Sequence, residues 1–220
     1  MNASEIERLV LKGEGEHLEF KKKALHPEKI VREMVAFANS SGGVLLIGVE
    51  DSGRISGVPH PDEEQYVMEA ALARYCRPSL AYELEIIPFG NGKWVLKYRI
   101  PEGIEKPYYW MEKPGESAGL VYVRSGEQSI RASYELYSIL RYGKKEGLLE
   151  IGKNESALFA LFKGREFLSI PEFAALSGLG RRKISRMFIS LVLRGVLEVK
   201  PGVPADLYRL KDAYLPPDSA

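Results

Sequence analysis

Residues 13–57 decide the fold of the first half of this chain, and they read GEGEHLEFKKKALHPEKIVREMVAFANSSGGVLLIGVEDSGRISG. Leu18 and Phe20 alternate with polar neighbours, which predicts a half-buried strand. After Pro27, which suits a helix start, the apolar residues recur with the 3.6-residue period of an α-helix. Gly42 or Gly43 can end that helix, and the apolar run 44–49 predicts a strand buried on both faces. The stretch therefore predicts a compact strand–helix–strand unit.

The remainder of this half adds further helices and strands. We expect helices before Gly13, from Asp62 to Tyr75 and over 133–142, a hairpin around Gly90-Asn91-Gly92, and a strand over 119–124. This composition predicts an α+β domain with a mixed or antiparallel sheet. The polar, glycine-flanked segment 143–147 predicts the domain boundary, so that the two domains cover residues 1–146 and 147–220.

The second domain has the pattern of a winged helix-turn-helix. Helices are predicted over 154–163, 169–176 and 181–194, and strands over 196–200 and 207–211. The Gly178-Leu179-Gly180 turn joins the second and third helices, as in a helix-turn-helix. Three helices and a two-stranded wing follow from periodicity and turn signals alone.

Four separated segments of the first half resemble the AlbA-like domain of the Schlafen family, formerly called a divergent AAA domain. They are Glu14-x-x-x-x-Glu19-Phe20-Lys21, Ala36 to Gly43 with the following strand and Gly48-Val49-Glu50-Asp51-x-Gly53, Lys106-Pro107-Tyr108-Tyr109, and Val121 to Gly126. The resemblance covers roughly residues 13–142. With a winged helix after it, the arrangement resembles bacterial proteins described as predicted transcriptional regulators, which implies DNA as the partner.

Composition and charge narrow the class of protein. Among 220 residues there is one cysteine, which excludes an intramolecular disulfide and a multi-cysteine metal site. No apolar run is long enough to span a membrane and the N-terminus lacks a secretory signal, so we expect a cytoplasmic protein. The net charge is +1, yet residues 154–211 carry ten Lys and Arg against five Asp and Glu. This basic segment favours a nucleic-acid partner, DNA first and RNA second.

Two groups of residues are candidates for contact with nucleic acid. The first lies at the start of the third helix of the second domain and comprises Arg181, Arg182, Lys183, Ser185 and Arg186. That end enters the major groove in a helix-turn-helix, although a solvated basic face of a protein-docking module is the alternative. The second group comprises Lys21, Lys22, Lys23 and Arg124, with the rings of residues 108–110 as a stacking surface. Its alternative is a set of edge-strand lysines beside ordinary core aromatics.

The resemblance also implies a catalytic and metal-binding site. In the vertebrate Schlafen nucleases the matching domain is an endoribonuclease with three acidic residues and a divalent metal, and the matching positions here are Glu14, Glu19 and Asp51. Carboxylates can hold Mg²⁺ or Mn²⁺, which activates water. Glu14 and Glu19 would converge only if the chain bends at Gly15.

Whether the protein is an enzyme stays open at this point. The alternative is that Glu19 pairs with nearby lysines while Asp51 makes a turn, so that no cofactor is required. The nucleases carry two such domains in tandem and this chain carries one. We therefore expect a homodimer, which paired helix-turn-helix modules also favour.

Overall fold

The computed structural model of the chain describes residues 3–113, 115, 118–144 and 151–214. They form two compact units that divide between Arg131 and Ala132. The predicted boundary between 146 and 147 lies outside the described residues. The helix over 134–142 belongs to the second unit, where it packs against the helix over 181–193. None of the described helices combines the length and apolar character that a membrane crossing needs.

The first unit contains the three elements of the predicted strand–helix–strand region, one helix before them and a β-rich remainder. In chain order the elements are α1 (Ala3–Val10), β1 (Leu18–Lys21), α2 (Pro27–Asn39), β2 (Gly43–Ile47), α3 (Pro61–Tyr75), β3 (Cys76–Arg77), β4 (Glu83–Pro88), β5 (Trp94–Ile100), β6 (Tyr109–Trp110), β7 (Tyr122–Ser125) and β8 (Gln128–Arg131). The main sheet has the strand order β1-β2-β5-β4. β1 and β2 are parallel, whereas β5 runs antiparallel to both of its neighbours. The α+β class with a mixed sheet is confirmed.

The strand–helix–strand unit forms because parallel neighbours need a crossover, which α2 supplies. Leu45 and Ile47 of β2 pack in the core that includes α2 and α3, whereas Leu46 packs in a second core with Ile6 of α1. Successive side chains of β2 therefore fill opposite faces of the sheet. This arrangement confirms the prediction of a strand buried on both faces.

Three short strands of the first unit, β3, β6 and β8, are not among the predicted elements. β8 pairs antiparallel with β7, and the turn between them contains Gly126 at φ 60°. β3 and β6 form a two-residue antiparallel pair that joins Cys76 to Trp110. Arg124 lies in the β7–β8 pair, opposite Ser129.

The second unit contains the predicted helices and hairpin. Its elements are α4 (Tyr134–Tyr142), α5 (Lys153–Phe162), β9 (Leu168–Ser169), α6 (Ile170–Ser177), α7 (Arg181–Leu193), β10 (Leu197–Lys200), β11 (Leu207–Leu210) and a 3₁₀ turn (Asp212–Tyr214). Ser169 and Glu172 form the predicted capping box of α6. Phe188 of α7 packs between the rings of Phe173 and Tyr208, so the core lies between the helices and the sheet β10-β11-β9.

Candidate functional site

Arg124 lies at the centre of the first unit's charged cluster, and its side chain is completely buried. β7 carries it toward β1 and α2. Its guanidinium donates to the carboxylates of Glu19 at 3.1 Å and Glu33 at 3.2 Å, and to the carbonyl oxygen of Gly15 at 2.6 Å. The prediction that Arg124 contacts nucleic acid is wrong for this structure, because a side chain without exposed surface is not available to a phosphate. Its role is to hold β1, α2 and the 15–18 turn together.

Glu14 folds back toward β1, as the carboxylate hypothesis requires. Gly15 and Leu18 close a tight turn in which the Gly15 N–H donates to the Leu18 carbonyl oxygen at 2.9 Å. This turn brings Glu14 Oε1 within 2.8 Å of the Phe20 N–H, which donates to it. The required bend at Gly15 is therefore present.

The electrostatics of Glu14 identify its charged neighbours. Burial is the main cause that raises the pKa of Glu14, and the negative charges of Glu19 and Asp51 raise the pKa further. The hydrogen bond from the Phe20 N–H and the charge of Lys21 act in the opposite direction. The three acidic side chains named by the resemblance are therefore electrostatic neighbours.

Proximity does not make these carboxylates a metal site. Glu19 pairs with Lys21 and with Arg124, so both of its oxygens already face cations. Asp51 lies at a shallow cleft of about 310 Å³ that also includes Lys22, Glu50 and Ser52. Across the described residues, no group of three or more His, Cys, Asp and Glu could hold a metal ion. As they lie, Glu14, Glu19 and Asp51 do not fit a divalent cation.

Two of the three rings predicted to stack on a ligand are not available, because Tyr108 and Trp110 belong to the core with 5% and 8% of their surface exposed, whereas Tyr109 is half-buried. The Trp110 indole N–H donates to the Glu28 carbonyl oxygen at 2.7 Å. Asn39 donates to the carbonyl oxygens of Tyr108 and Tyr122 and accepts from the Tyr108 N–H. Tyr108 and Trp110 therefore serve the core of the fold, and Asn39 fixes the backbone beside them.

The three lysines differ in their availability. Lys21 is bound to Glu19 and donates to the Phe20 carbonyl oxygen, so its charge is used within the fold. Lys22 is exposed and pairs with Glu50 at 3.0 Å, and Lys23 is exposed. Lys22 and Lys23 are the exposed lysines of this predicted group, whereas Lys21 is half-buried.

The first two turns of α7 present the second predicted group. Arg181, Arg182, Lys183 and Arg186 are all exposed. The helix starts after Gly180 without a side-chain cap, and its first turn contains no acidic residue. Four cations thus surround the positive end of the α7 dipole, where positive charge is unfavourable.

Ser185 differs from its basic neighbours, since only 5% of its surface is exposed. The side chains at 185, 189 and 193 lie on one helix face, and all three residues are buried although none belongs to the core formed with α6 and the sheet. The helix α4, with buried Leu136, packs against α7. Ser185 is therefore not the exposed phosphate contact that was predicted. The sequence contains a signal for this burial, because Ile189 and Leu193 follow Ser185 at intervals of four residues and form a second apolar stripe on the same helix face.

Comparison with known proteins identifies the family. The N-terminal domain of a putative ATP-dependent DNA helicase RecG-related protein from Nitrosomonas europaea is 27% identical, with 54% of this chain and 88% of that one covered at a TM-score of 0.44. The DIP2311 protein from Corynebacterium diphtheriae is 16% identical, with 67% of this chain and 32% of that one covered at a TM-score of 0.42. The family described as Schlafen, AlbA_2 matches residues 14–133, more than half of the chain. The chain therefore belongs to the Schlafen AlbA_2 family.

Proposed function

We propose that this protein binds nucleic acid and that its second unit is a winged helix-turn-helix that contacts duplex DNA in transcriptional regulation. The observation that carries the proposal is the set of exposed cations on the first two turns of α7, namely Arg181, Arg182, Lys183 and Arg186. The family membership is compatible with a role involving nucleic acid and specifies neither the target nor the reaction.

The arrangement of α6 and α7 supports a helix-turn-helix. α6 ends at Ser177, Gly178 caps it in the left-handed conformation at φ 66°, and α7 begins at Arg181 after the three-residue connection 178–180. The hairpin β10–β11 follows directly and pairs with β9, as a wing does. In this motif the second helix enters the major groove with its N-terminal residues toward the bases.

The charge distribution also favours a polyanionic partner. Arg181, Arg182 and Lys183 occupy the first turn of α7, where carboxylates are the stabilising residues in most helices. No ion pair with an acidic side chain neutralises Arg181, Arg182 or Arg186 within the described residues. Phosphate groups would neutralise this end of the helix, and they complement both the guanidinium forks and the free backbone N–H groups.

The test is salt-dependent binding to labelled duplex DNA. We expect the double variant Arg182→Ala, Arg186→Ala to weaken binding and to reduce the slope of log K against log salt by up to about two, one for each lost phosphate contact. The matched control is Arg165→Ala, Arg194→Ala, which removes the same charge from the same unit away from the start of α7. Equal losses in both double variants would contradict contact through α7, because they would show a response to net charge alone.

We also propose that the protein acts as a homodimer. Paired recognition helices read paired half-sites about one turn of DNA apart, which requires two copies of the second unit. Sedimentation of the protein with and without a DNA duplex tests this proposal. A complex with one copy on every bound duplex would overturn it.

A metal-dependent endoribonuclease is the second candidate, and the electrostatic contact of Glu14 with Glu19 and Asp51 favours it. The pairing of Glu19 with Arg124 and Lys21 opposes it, since these cations occupy the carboxylate. Folded tRNA incubated with the protein in Mn²⁺ or in EDTA separates the two functions. Metal-dependent shortening that Asp51→Asn abolishes would establish the nuclease, whereas intact RNA in both conditions leaves DNA binding as the function.

A further inference from the structure

A cleft of about 590 Å³ lies within the second unit, between α4 and the start of α7. The residues that line it are Tyr134, Glu135, Arg181, Arg182, Ser185 and Arg186. Two helices of one compact unit form its walls, and α4 packs directly against α7. The cleft combines an aromatic ring, a carboxylate, a hydroxyl and three guanidinium groups. The function proposed above uses the arginines alone and leaves the other three groups without a role.

The Ser185 hydroxyl is the most specific feature of this cleft. The residue is 95% buried by the packing of α4, yet its Oγ atom has no hydrogen-bond partner within the part of the chain that the structure describes. Such an orphan is uncommon and costs free energy, because the group has lost water without gaining a partner. An alanine at this position would avoid that cost and would preserve the helix. Four other buried polar atoms of the described residues also lack a partner, but Ser185 Oγ is the one of the five that lines this cleft, where a ligand atom could complete its hydrogen bonding.

The charges of the cleft define what kind of ligand fits. Arg181, Arg182 and Arg186 surround the uncapped N-terminus of α7, which together favour an anionic group such as a phosphate. Glu135 faces the same space with only 5% of its surface exposed, and a carboxylate accepts hydrogen bonds without donating any. The three arginines outweigh Glu135, so the cleft attracts anions, while Glu135 leaves one acceptor that an anion alone does not use. A ligand that carries an N–H donor in addition to its anionic group matches both parts of the cleft.

Tyr134 supplies the remaining element, because its ring is 68% exposed on the first turn of α4 while lining the cleft. An exposed ring beside arginines provides a stacking platform for a flat heterocycle. The cleft thus offers a ring for stacking, an acceptor for an amino group and cations for a phosphate. One class of ligand uses all three.

We propose that this cleft binds a nucleotide whose base carries an amino group. The base stacks on Tyr134, its amino group donates to Glu135, the phosphate lies against the three arginines, and Ser185 Oγ binds the ligand from the floor of the cleft. The site goes beyond the proposed DNA contact, yet it shares Arg181, Arg182 and Arg186 with that contact. A bound nucleotide and a DNA duplex consequently compete for the same guanidinium groups.

The first experiment titrates the full chain with AMP by calorimetry and compares four other compounds, three of which each lack one feature of AMP. Adenosine lacks the phosphate, ribose 5-phosphate lacks the base, IMP has a carbonyl in place of the amino group, and inorganic phosphate retains only the anion. We expect AMP to bind more tightly than every analogue. Equal affinity for AMP and inorganic phosphate would overturn the proposal, because it would reduce the cleft to a general anion site.

Two pairs of variants locate the binding. Ser185→Ala should weaken AMP binding about fivefold for one lost hydrogen bond, without lowering the melting temperature, since it removes an unsatisfied hydroxyl. Ser190→Ala on the same helix is its control. Tyr134→Ala should weaken binding about tenfold through lost stacking, whereas Tyr142→Ala at the other end of α4 should leave it unchanged. Unchanged affinity in both Ser185→Ala and Tyr134→Ala would refute the site.

The nucleotide can be a free molecule or an unpaired residue of a DNA strand, and a competition assay separates these sources. Displacement of a blunt duplex by AMP supports the free nucleotide. If AMP does not bind but a duplex with an unpaired terminal nucleotide binds more tightly than a blunt one, and Tyr134→Ala abolishes that gain, the ligand belongs to the polymer. If neither binds at this cleft while blunt duplex binding still depends on Arg182 and Arg186, the nucleotide site fails and the DNA proposal stands.

Discussion

Replacement of Arg124 by Met tests the central claim about the first unit, namely that this arginine serves the fold and not a ligand. The variant keeps a long side chain but removes a guanidinium that donates to Glu19 and Glu33, whose side chains are only 10% and 11% exposed. It also removes the guanidinium donor from the carbonyl oxygens of Gly15 and Glu127, of which Gly15 keeps only the long 3.5 Å bond from the Leu18 N–H. Removal of one partner from a buried ion pair costs about 3–5 kcal/mol, because the other charge stays buried.

The expected loss lies at the lower end of that range, at about 3 kcal/mol. Glu19 retains its contact with Lys21 and Glu33 retains its ion pair with Arg32 at 3.0 Å, so neither carboxylate is left entirely without a cation. The control is Arg99→Met, which removes an exposed pair with Glu83 and should cost less than about 1 kcal/mol.

Tryptophan fluorescence during urea unfolding measures this effect selectively. The chain has two tryptophans, Trp94 and Trp110, and both lie in the first unit. The signal therefore reports the unfolding of that unit, and the midpoint and slope yield its free energy. A loss no larger than that of Arg99→Met would refute the proposed role of Arg124.

A triple variant identifies the cause of the loss. Adding Glu19→Gln and Glu33→Gln to Arg124→Met removes the two buried charges that the arginine neutralises. We expect this combination to be more stable than Arg124→Met alone, because neutral amides tolerate burial better than carboxylates that have lost one of their two cations. Further destabilisation by each added change would show that packing, and not charge, dominates.

Three further predictions concern single residues of the first unit. The folded-state pKa of Glu14 lies above its ordinary 4.5, so the ionisation of this carboxyl lowers stability as the pH rises through that region. Glu14→Gln should therefore raise the urea midpoint at pH 7, and this gain should vanish below about pH 4.5. Asn39→Ala should lower the free energy of unfolding by about 3 kcal/mol in the same assay, because it removes three hydrogen bonds worth about 1 kcal/mol each. These bonds join Asn39 to the N–H and carbonyl of Tyr108 and to the carbonyl of Tyr122. A loss under about 1 kcal/mol would contradict this role of Asn39. Burial raises the pKa of the Cys76 thiol to about 12. A chromogenic disulfide reagent at pH 8 should therefore react slowly with the native protein and rapidly with the protein in urea. Equal rates would contradict the burial of this thiol.

The sequence predicted most elements because their apolar residues repeat with clear periods. α2 and α7 have helical stripes, β2 is a continuous apolar run, and the β4–β5 hairpin has glycine at both ends of its turn. β8 was missed although Gly126 is an ordinary hairpin signal between β7 and β8. The local sequence therefore contains a turn signal that predicts β8.

The role of Arg124 could not be predicted in the same way. In the strand VYVR, alternation places Val121 and Val123 inside and so assigns Arg124 to the solvent side with Tyr122. Its burial depends on carboxylates 105 and 91 positions away in the chain. Local periodicity contains no information about partners at that distance, and by itself it predicts a surface cation at this position.

The two units use their charges in different ways, and this difference favours the second unit as the place where an anion binds. In the first unit Lys21, Lys97 and Arg124 all pair with acidic side chains, so the requirements of folding account for their presence. At the start of α7 the arginines oppose the helix dipole beside a buried hydroxyl that has no partner within the described residues. Folding alone does not favour that combination, since each feature lowers the stability of the free protein. Residues that reduce stability at one surface are expected where a ligand restores it, and phosphate supplies the charge that this helix end lacks.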